Sequence, residues 1–265
     1  MKAKLKQFIE QILGWNFWIE RSADPARINA LIRSLRPKST VAPLVRIGPN
    51  GDGGYLLPDD LDGISVCVSP GISVEIGFDL AMAERGIRVF MADASVDGPP
   101  QSNSRFQFVK KFLDVFEDDK HIRLDSLCAS IQRELCGDRI LQMDIEGAEW
   151  RVLLDANSET LRMFRIMVIE FHDLKQVFSR YSFDFIEATF RKILQTHSVV
   201  HLHPNNIVNP TVFDRFSVPS LMEITFYRND RPFSMQTNDF TYPHPLDIDN
   251  VSSSSTVVLP GCWRS

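Results

Sequence analysis

Cysteine is scarce in this chain of 265 residues: Cys67, Cys128, Cys136 and Cys262 are the only four, and no two form a C-x-x-C pair. That spacing argues against a disulfide framework and against a zinc site built on paired thiolates. The four read as reduced cysteines of a cytoplasmic protein. No apolar run is long enough to span a bilayer. The lysine-containing N-terminus lacks the long apolar core and small-residue cleavage site of a signal peptide. A basic excess is also missing, with 29 Lys and Arg against 34 Asp and Glu, a net charge of -5 and a pI near 5.7. A nucleic-acid partner, which favours a basic face, is therefore not expected. The sequence has no G-x-G-x-x-G, which counts against an enzyme that binds a nicotinamide dinucleotide.

What is present is ordinary for a globular chain, with 44% hydrophobic and 24% charged residues. Phe8, Ile9, Ile12, Leu13, Trp15, Phe17, Trp18 and Ile19 give the N-terminus an amphipathic pattern. A helix of this kind packs on its domain or rests weakly on a membrane surface. Asn50-Gly51 and Gly53-Gly54 beside apolar residues suggest a hairpin. From Ile64 onward, short apolar strands alternate with amphipathic helices. Strands are expected at residues 64–68, 87–92, 106–112, 139–145, 166–171, 198–202 and 221–227. Helices are expected at 74–85, 124–135, 148–154 and 183–194. This alternation predicts an α/β fold with a parallel sheet covered on both faces. The expected division is an N-terminal helical extension over 1–40, a central domain over 41–230 and an extended C-terminal tail over 231–265.

Ligands of doubly wound sheets sit beyond the carboxyl ends of the strands. Ser69, Pro70 and Gly71 follow the first strand, where small residues admit a ligand close to the backbone. Asp93 ends the second strand 22 positions after Gly71, and an acid there can accept hydrogen bonds from both hydroxyls of a ribose. The segment from Leu141 to Trp150, LQMDIEGAEW, is more specific. It sets Asp144, Glu146 and Glu149 within six residues at the end of an apolar strand.

That segment resembles the signature of the FkbM-type methyltransferases, in which an Asp, a branched residue, Glu, Gly, Ala and Glu follow one another. Met167–His172, His201–Asn206 and Met222–Phe226 resemble later strands of the same family, and Asp52–Tyr55 resembles an upstream element of one subgroup. The resemblance runs from about Gly51 to Tyr227. It implies a Rossmann-like, seven-stranded, mostly parallel sheet with an antiparallel last strand and helices on both faces. It implies S-adenosylmethionine as methyl donor and a hydroxyl acceptor. Most such acceptors are sugars of bacterial surface polysaccharides or glycoconjugates; natural-product hydroxyls of polyketide type are the alternative. Carried over by position, Ser69, Pro70 and Gly71 would meet the methionine part of the cofactor, Asp93 the ribose, and Asp144 the sulfonium. Ser69 and Ser73 stand where the family commonly has glycine.

Methyl transfer to oxygen needs an aligned donor and acceptor and a group that takes the hydroxyl proton. His172, just past an apolar strand and able to titrate near neutrality, is the first candidate base. Asp144 is the second. Glu149, in the first turn of a helix, suits the helix dipole. Glu146, His203 and Asn206 are candidate acceptor contacts, with Asn205 beside them. Asp144, Glu170 and Asp173 supply oxygen ligands at neighbouring strand ends and could hold Mg²⁺ instead. A chain that kept the fold and lost catalysis is the alternative outside enzymes.

Overall fold

The computed structural model describes residues 20–72, 74–131, 135, 137–235 and 241–264. The expected amphipathic helix at the N-terminus and Ser73 lie outside them, apart from Glu20. The described chain begins with helix α1 (Pro25–Ser34), whose N-cap Asp24 accepts a hydrogen bond from Ala26 N. A hairpin of β1 (Leu44–Ile47) and β2 (Tyr55–Pro58) follows, joined by the Asn-Gly and Gly-Gly turn residues. The alternating part then runs β3 (Ile64–Pro70), α2 (Gly77–Glu84), β4 (Arg88–Ala92), β5 (Phe106–Val109), β6 (Phe112–Leu113), β7 (His121–Ile122), α3 (Leu124–Ser130), β8 (Asp138–Met143), α4 (Glu149–Asp155), α5 (Ser158–Arg162) and β9 (Phe164–Phe171). After a 3-10 turn at Leu174–Phe178 come α6 (Arg180–Ile193), β10 (His197–Pro204), a small hairpin of β11 (Thr211–Phe213) and β12 (Phe216–Val218), and β13 (Met222–Arg228).

One seven-stranded sheet organises these elements in the order β10-β13-β9-β8-β3-β4-β5. β9, β8, β3, β4 and β5 pair parallel, and β13 runs antiparallel to both β9 and β10. Every residue of β9 and of β10 is buried, as a strand covered on both faces requires. One apolar core holds Ile28 of α1, Val152 of α4 and Phe183, Ile186 and Phe190 of α6. The other holds Phe78 and Met82 of α2 with Tyr55 and Leu57 of the hairpin. In α6 the buried set Phe183, Ile186, Thr189, Phe190 and Ile193 follows helical spacing, and Ser179 caps its start by accepting from Ser182 N.

Three expected elements are shorter in the structure. The helix after Gly71 starts at Gly77, because Val74 is 90% exposed with no face to bury and Glu75 Oε1 binds Gly77 N at 2.6 Å. The helix from Leu124 stops at Ser130, where Ser130 Oγ takes the Leu127 carbonyl and the backbone of buried Ile131 turns extended. The expected strand over 106–112 ends at Val109; a tight turn closed by Lys111 N and the Val109 carbonyl sends Phe112–Leu113 to pair with His121–Ile122. The short helix α5 and the β11–β12 hairpin have too little periodicity to stand out in sequence. Residues 241–264 are held at a few points: Tyr242, Leu259 and Trp263 are buried, and Trp263 Nε1 donates to the Ser217 carbonyl.

Candidate active site

The parallel strands end on one edge, and a cleft of about 450 Å³ lies there, bordered by Gly71, Asp93, Asp114, Asp144, Glu146 and Arg151. A larger cavity of about 560 Å³ lies beside Lys38, Leu44, His201 and His244 and touches none of the candidate cofactor residues. Strand-end chemistry therefore places the candidate site in the smaller one.

Gly71 is dictated by space. Its φ is +87°, and a Cβ there would sit 1.6 Å from the backbone oxygen of Asp144. The β3 and β8 ends thus approach closely, with Asp144 N donating to the Pro70 carbonyl at 3.4 Å, while Gly71 N donates to the Ala92 carbonyl at the end of β4 at 3.0 Å. Ser69 and Pro70 are buried behind Gly71 and do not themselves border the cleft. Ser69 is buried and donates to Gln142 Oε1 at 2.8 Å, and Gln142 Nε2 donates to Tyr55 Oη at 3.2 Å. Asp93 follows β4, is 8% exposed, and spends Oδ1 on Ser95 N and Ser95 Oγ, each at 2.6 Å. Asp114 is a cleft residue that sequence reading missed. Arg151 of α4 grips it with two bonds of 2.8 and 2.9 Å, which hold its carboxyl below the usual range.

At the other end of the cleft, the turn from β8 to α4 is forced. Glu146 has φ +54° and Gly147 φ +99°. A glutamate in the left-handed region is strained, and this conformation turns Gly147 N back to Glu149 Oε2 at 2.8 Å. Glu149 does more than complement a helix dipole. It is fully buried and also accepts from His172 N at 2.6 Å and from His172 Nδ1 at 3.2 Å. Trp150 Nε1 fixes the His172 carbonyl at 2.7 Å. One buried carboxylate therefore ties the β8 and β9 ends together.

The same carboxylates bear on the protonation of His172. Burial alone would lower its pKa. The hydrogen bond to Glu149 and the charges of Glu149 and Asp144 outweigh that and push it up to about 9. His172 lies 3.7 Å from Asp144 Oδ1 and 3.3 Å from Glu146 Oε2, a surrounding that favours its protonated form. Asp144 is raised to about 6, chiefly by burial, with His172 opposing the shift. Its Oδ1 is buried and has no hydrogen-bond partner. Glu146, with 86% of its side chain exposed, borders the cleft and lies beside His172.

Beyond Asp144, Asp52 groups with the buried Glu170 and Glu223, each offering a carboxylate oxygen within 4.8 Å of the others, and of the three Asp52 borders the cleft. Burial raises Glu170 to about 9, with Glu223 and Asp144 adding to the shift, and raises Glu223 to about 7. Asn205 Nδ2 donates to Glu170 Oε1 at 3.0 Å. The expected trio Asp144, Glu170 and Asp173 does not converge. Asp144 groups with Glu146 and His172, Glu170 with Asp52 and Glu223, and Asp173 pairs with Lys175 at 3.3 Å with two-thirds of its side chain exposed.

His203 and Asn206 do not reach an acceptor directly either; the C-terminal tail takes their polar atoms. Asn206 binds the Val251 carbonyl, the Ser254 carbonyl and Val251 N. His203 Nε2 meets Asn250 Oδ1 at 3.1 Å, and Asn250 Nδ2 donates onward to Asp52 Oδ1 at 3.0 Å and Glu223 Oε1 at 2.7 Å. Asn250 is therefore the tail's own contribution to the site. Its only sequence signal is one asparagine in an aperiodic stretch, too little to find it.

Residues 85–194 match the family model of the methyltransferase FkbM domain. That stretch carries β4, β8, β9 and the forced turn at Glu146–Gly147, so the strand-end motif and the FkbM-type domain coincide. No curated protein sequence matches the chain. Among solved structures, the chain is loosely similar to EvdMO1, at 14% identity and a TM-score of 0.33, over 79% of this chain and 48% of that one. It thus spans about half of that protein's length. The N-terminal domain of EvdMO1 in the presence of SAH and D-fucose is similar at 12% identity and a TM-score of 0.32, over 77% of this chain and 97% of that domain. Among the described residues, no helix is long and apolar enough to cross a membrane.

Proposed function

We propose that the chain transfers the methyl group of S-adenosylmethionine to a hydroxyl of a polar, sugar-like acceptor, with the cofactor in the 450 Å³ cleft and the acceptor beside Asp52, behind which Glu170 and Glu223 are buried. The observation that carries this reading is the buried Oδ1 of Asp144, which faces the His172 ring at 3.7 Å without a hydrogen bond, on a residue that borders the cleft. The cofactor supplies an electrophilic methyl on a sulfonium. Asp144, whose carboxyl burial raises to about 6, would lie near that positive centre and hold the proton given up by the acceptor hydroxyl. His172 is a positioning residue: its positive charge keeps Asp144 ionised in a dry site, and Glu149 fixes its ring. Asp93 Oδ2 and Asp114 hold the nucleoside. Protonated Glu170 can donate, and Glu223 and Asp52 accept, as a molecule with several hydroxyls needs. A polar, acidic surrounding of this kind favours a glycan over an apolar polyketide surface.

The experiment measures thermal stabilisation by S-adenosylmethionine and S-adenosylhomocysteine, with NAD as control. Both adenosyl ligands should stabilise the protein and NAD should not. Asp93→Ala should weaken binding by about 1–3 kcal/mol through lost charged hydrogen bonds. Asp144→Asn should keep S-adenosylhomocysteine affinity within a few-fold and lose turnover on any sugar acceptor found by screening for S-adenosylhomocysteine release. Turnover by Asp144→Asn near the wild-type rate would remove Asp144 as the base.

A further inference from the structure

A separate cluster lies where the C-terminal tail crosses the sheet edge. His201 and His203 stand two apart on β10, so their side chains share one face of the strand. Asp247 of the tail comes to that face. His201 Nε2 is 2.8 Å and His203 Nδ1 3.4 Å from Asp247 Oδ1, and the three ligand atoms all lie within 4.8 Å of one another. We propose that His201, His203 and Asp247 form a binding site for a divalent first-row transition cation of the zinc class, which pins the tail to the domain.

Four observations carry this. His203 is 6% exposed, and its Nδ1, aimed at Asp247, is buried without a hydrogen bond. Its other nitrogen meets Asn250 Oδ1, the kind of supporting bond that fixes the tautomer and orientation of a metal-binding imidazole. Asp247 is oriented the same way, with Oδ2 accepting from His244 N at 2.7 Å. Finally, His201 borders the 560 Å³ cavity, which gives a cation a route in and a place for a water as fourth ligand. Two imidazoles and one carboxylate suit zinc-like cations and disfavour Mg²⁺, which prefers oxygen. Ligand atoms bound at about 2.0–2.1 Å in a tetrahedron lie roughly 3.3 Å apart, so the His203–Asp247 distance already fits and the shorter His201–Asp247 contact must open. The cation would reach the proposed active site through one residue, because Asn250 joins His203 to Asp52 and Glu223.

The test uses the full chain after chelation and dialysis, titrated with Zn²⁺ against a chromophoric chelator and, in parallel, with Co²⁺ followed by visible absorption. A single equivalent should bind, Co²⁺ should give the d–d bands of a four- or five-coordinate nitrogen and oxygen site, and Zn²⁺ should raise Tm and slow proteolysis of the tail. Asp247→Asn and His203→Gln should weaken binding by more than the roughly 10–100-fold typical of losing a supporting bond. Glu146→Gln, in the Asp144 and His172 group, should leave binding unchanged. Should either ligand variant unfold, paramagnetically shifted imidazole signals from two histidines in the Co²⁺ wild-type protein decide alone. No stoichiometric binding, binding that survives His203→Gln, or shifted signals from fewer than two histidines would overturn the proposal.

Discussion

Replacing Glu149 by glutamine tests how the site is held together. Glu149 is fully buried and accepts three bonds: Gly147 N on Oε2 at 2.8 Å, and His172 N and Nδ1 on Oε1 at 2.6 and 3.2 Å. A glutamine has the same shape but one accepting oxygen. In its best orientation that oxygen keeps both His172 donors, and the amide nitrogen faces Gly147 N, donor against donor. Leaving that N–H unsatisfied costs about 1–3 kcal/mol. The two remaining bonds lose the charge that roughly doubles their strength, and His172⁺ loses its closest counter-charge. The sum is about 3–5 kcal/mol, the range for breaking a buried ion pair from one side. At roughly 2–4 °C per kcal/mol for a chain of this size, Tm should fall by about 6–20 °C. His172 should also titrate lower, since the Glu149 hydrogen bond and charge are its main upward influences. Calorimetry and an NMR titration of the His172 ring check both. A Tm within about 2 °C of wild type, with an unmoved His172 midpoint, would refute the bolt between the two strand ends.

Two further outcomes follow from the site. Glu170 and His172 both have folded pKa values raised to about 9, from 4.5 and 6.5, so the folded state binds extra protons. Their contribution is full below the unfolded values and is lost as pH rises towards 9. Stability should therefore decline across that window, and Glu170→Gln should flatten the decline and gain about 2–5 kcal/mol at pH 9, measured by urea unfolding at several pH values; an unchanged profile would show that Glu170 is ionised in the fold. Asn206→Ala removes three bonds to the tail and should cost about 1–3 kcal/mol and speed proteolysis after residue 240, followed by mass spectrometry. Equal cleavage rates would mean that the tail is held elsewhere.

The sequence determined the parts of this protein that depend on local pattern. Runs such as Phe164–Phe171 announce a strand buried on both faces, because only apolar and β-branched residues can fill it. Gly71 and the Asp144–Glu149 motif mark the strand ends, because a left-handed turn and a close backbone approach admit few residue types. The protonation of His172 could not be read from the sequence, since it depends on Glu149 of helix α4 and on Asp144 just past β8, more than 20 positions away. Nor could the fates of His203 and Asn206, because the tail that takes their hydrogen bonds joins them from more than 40 positions away. The partners of a buried polar group are chosen by whichever segments the fold packs against it. A segment without periodicity, such as residues 241–264, gives no sign in its own sequence of where it will pack.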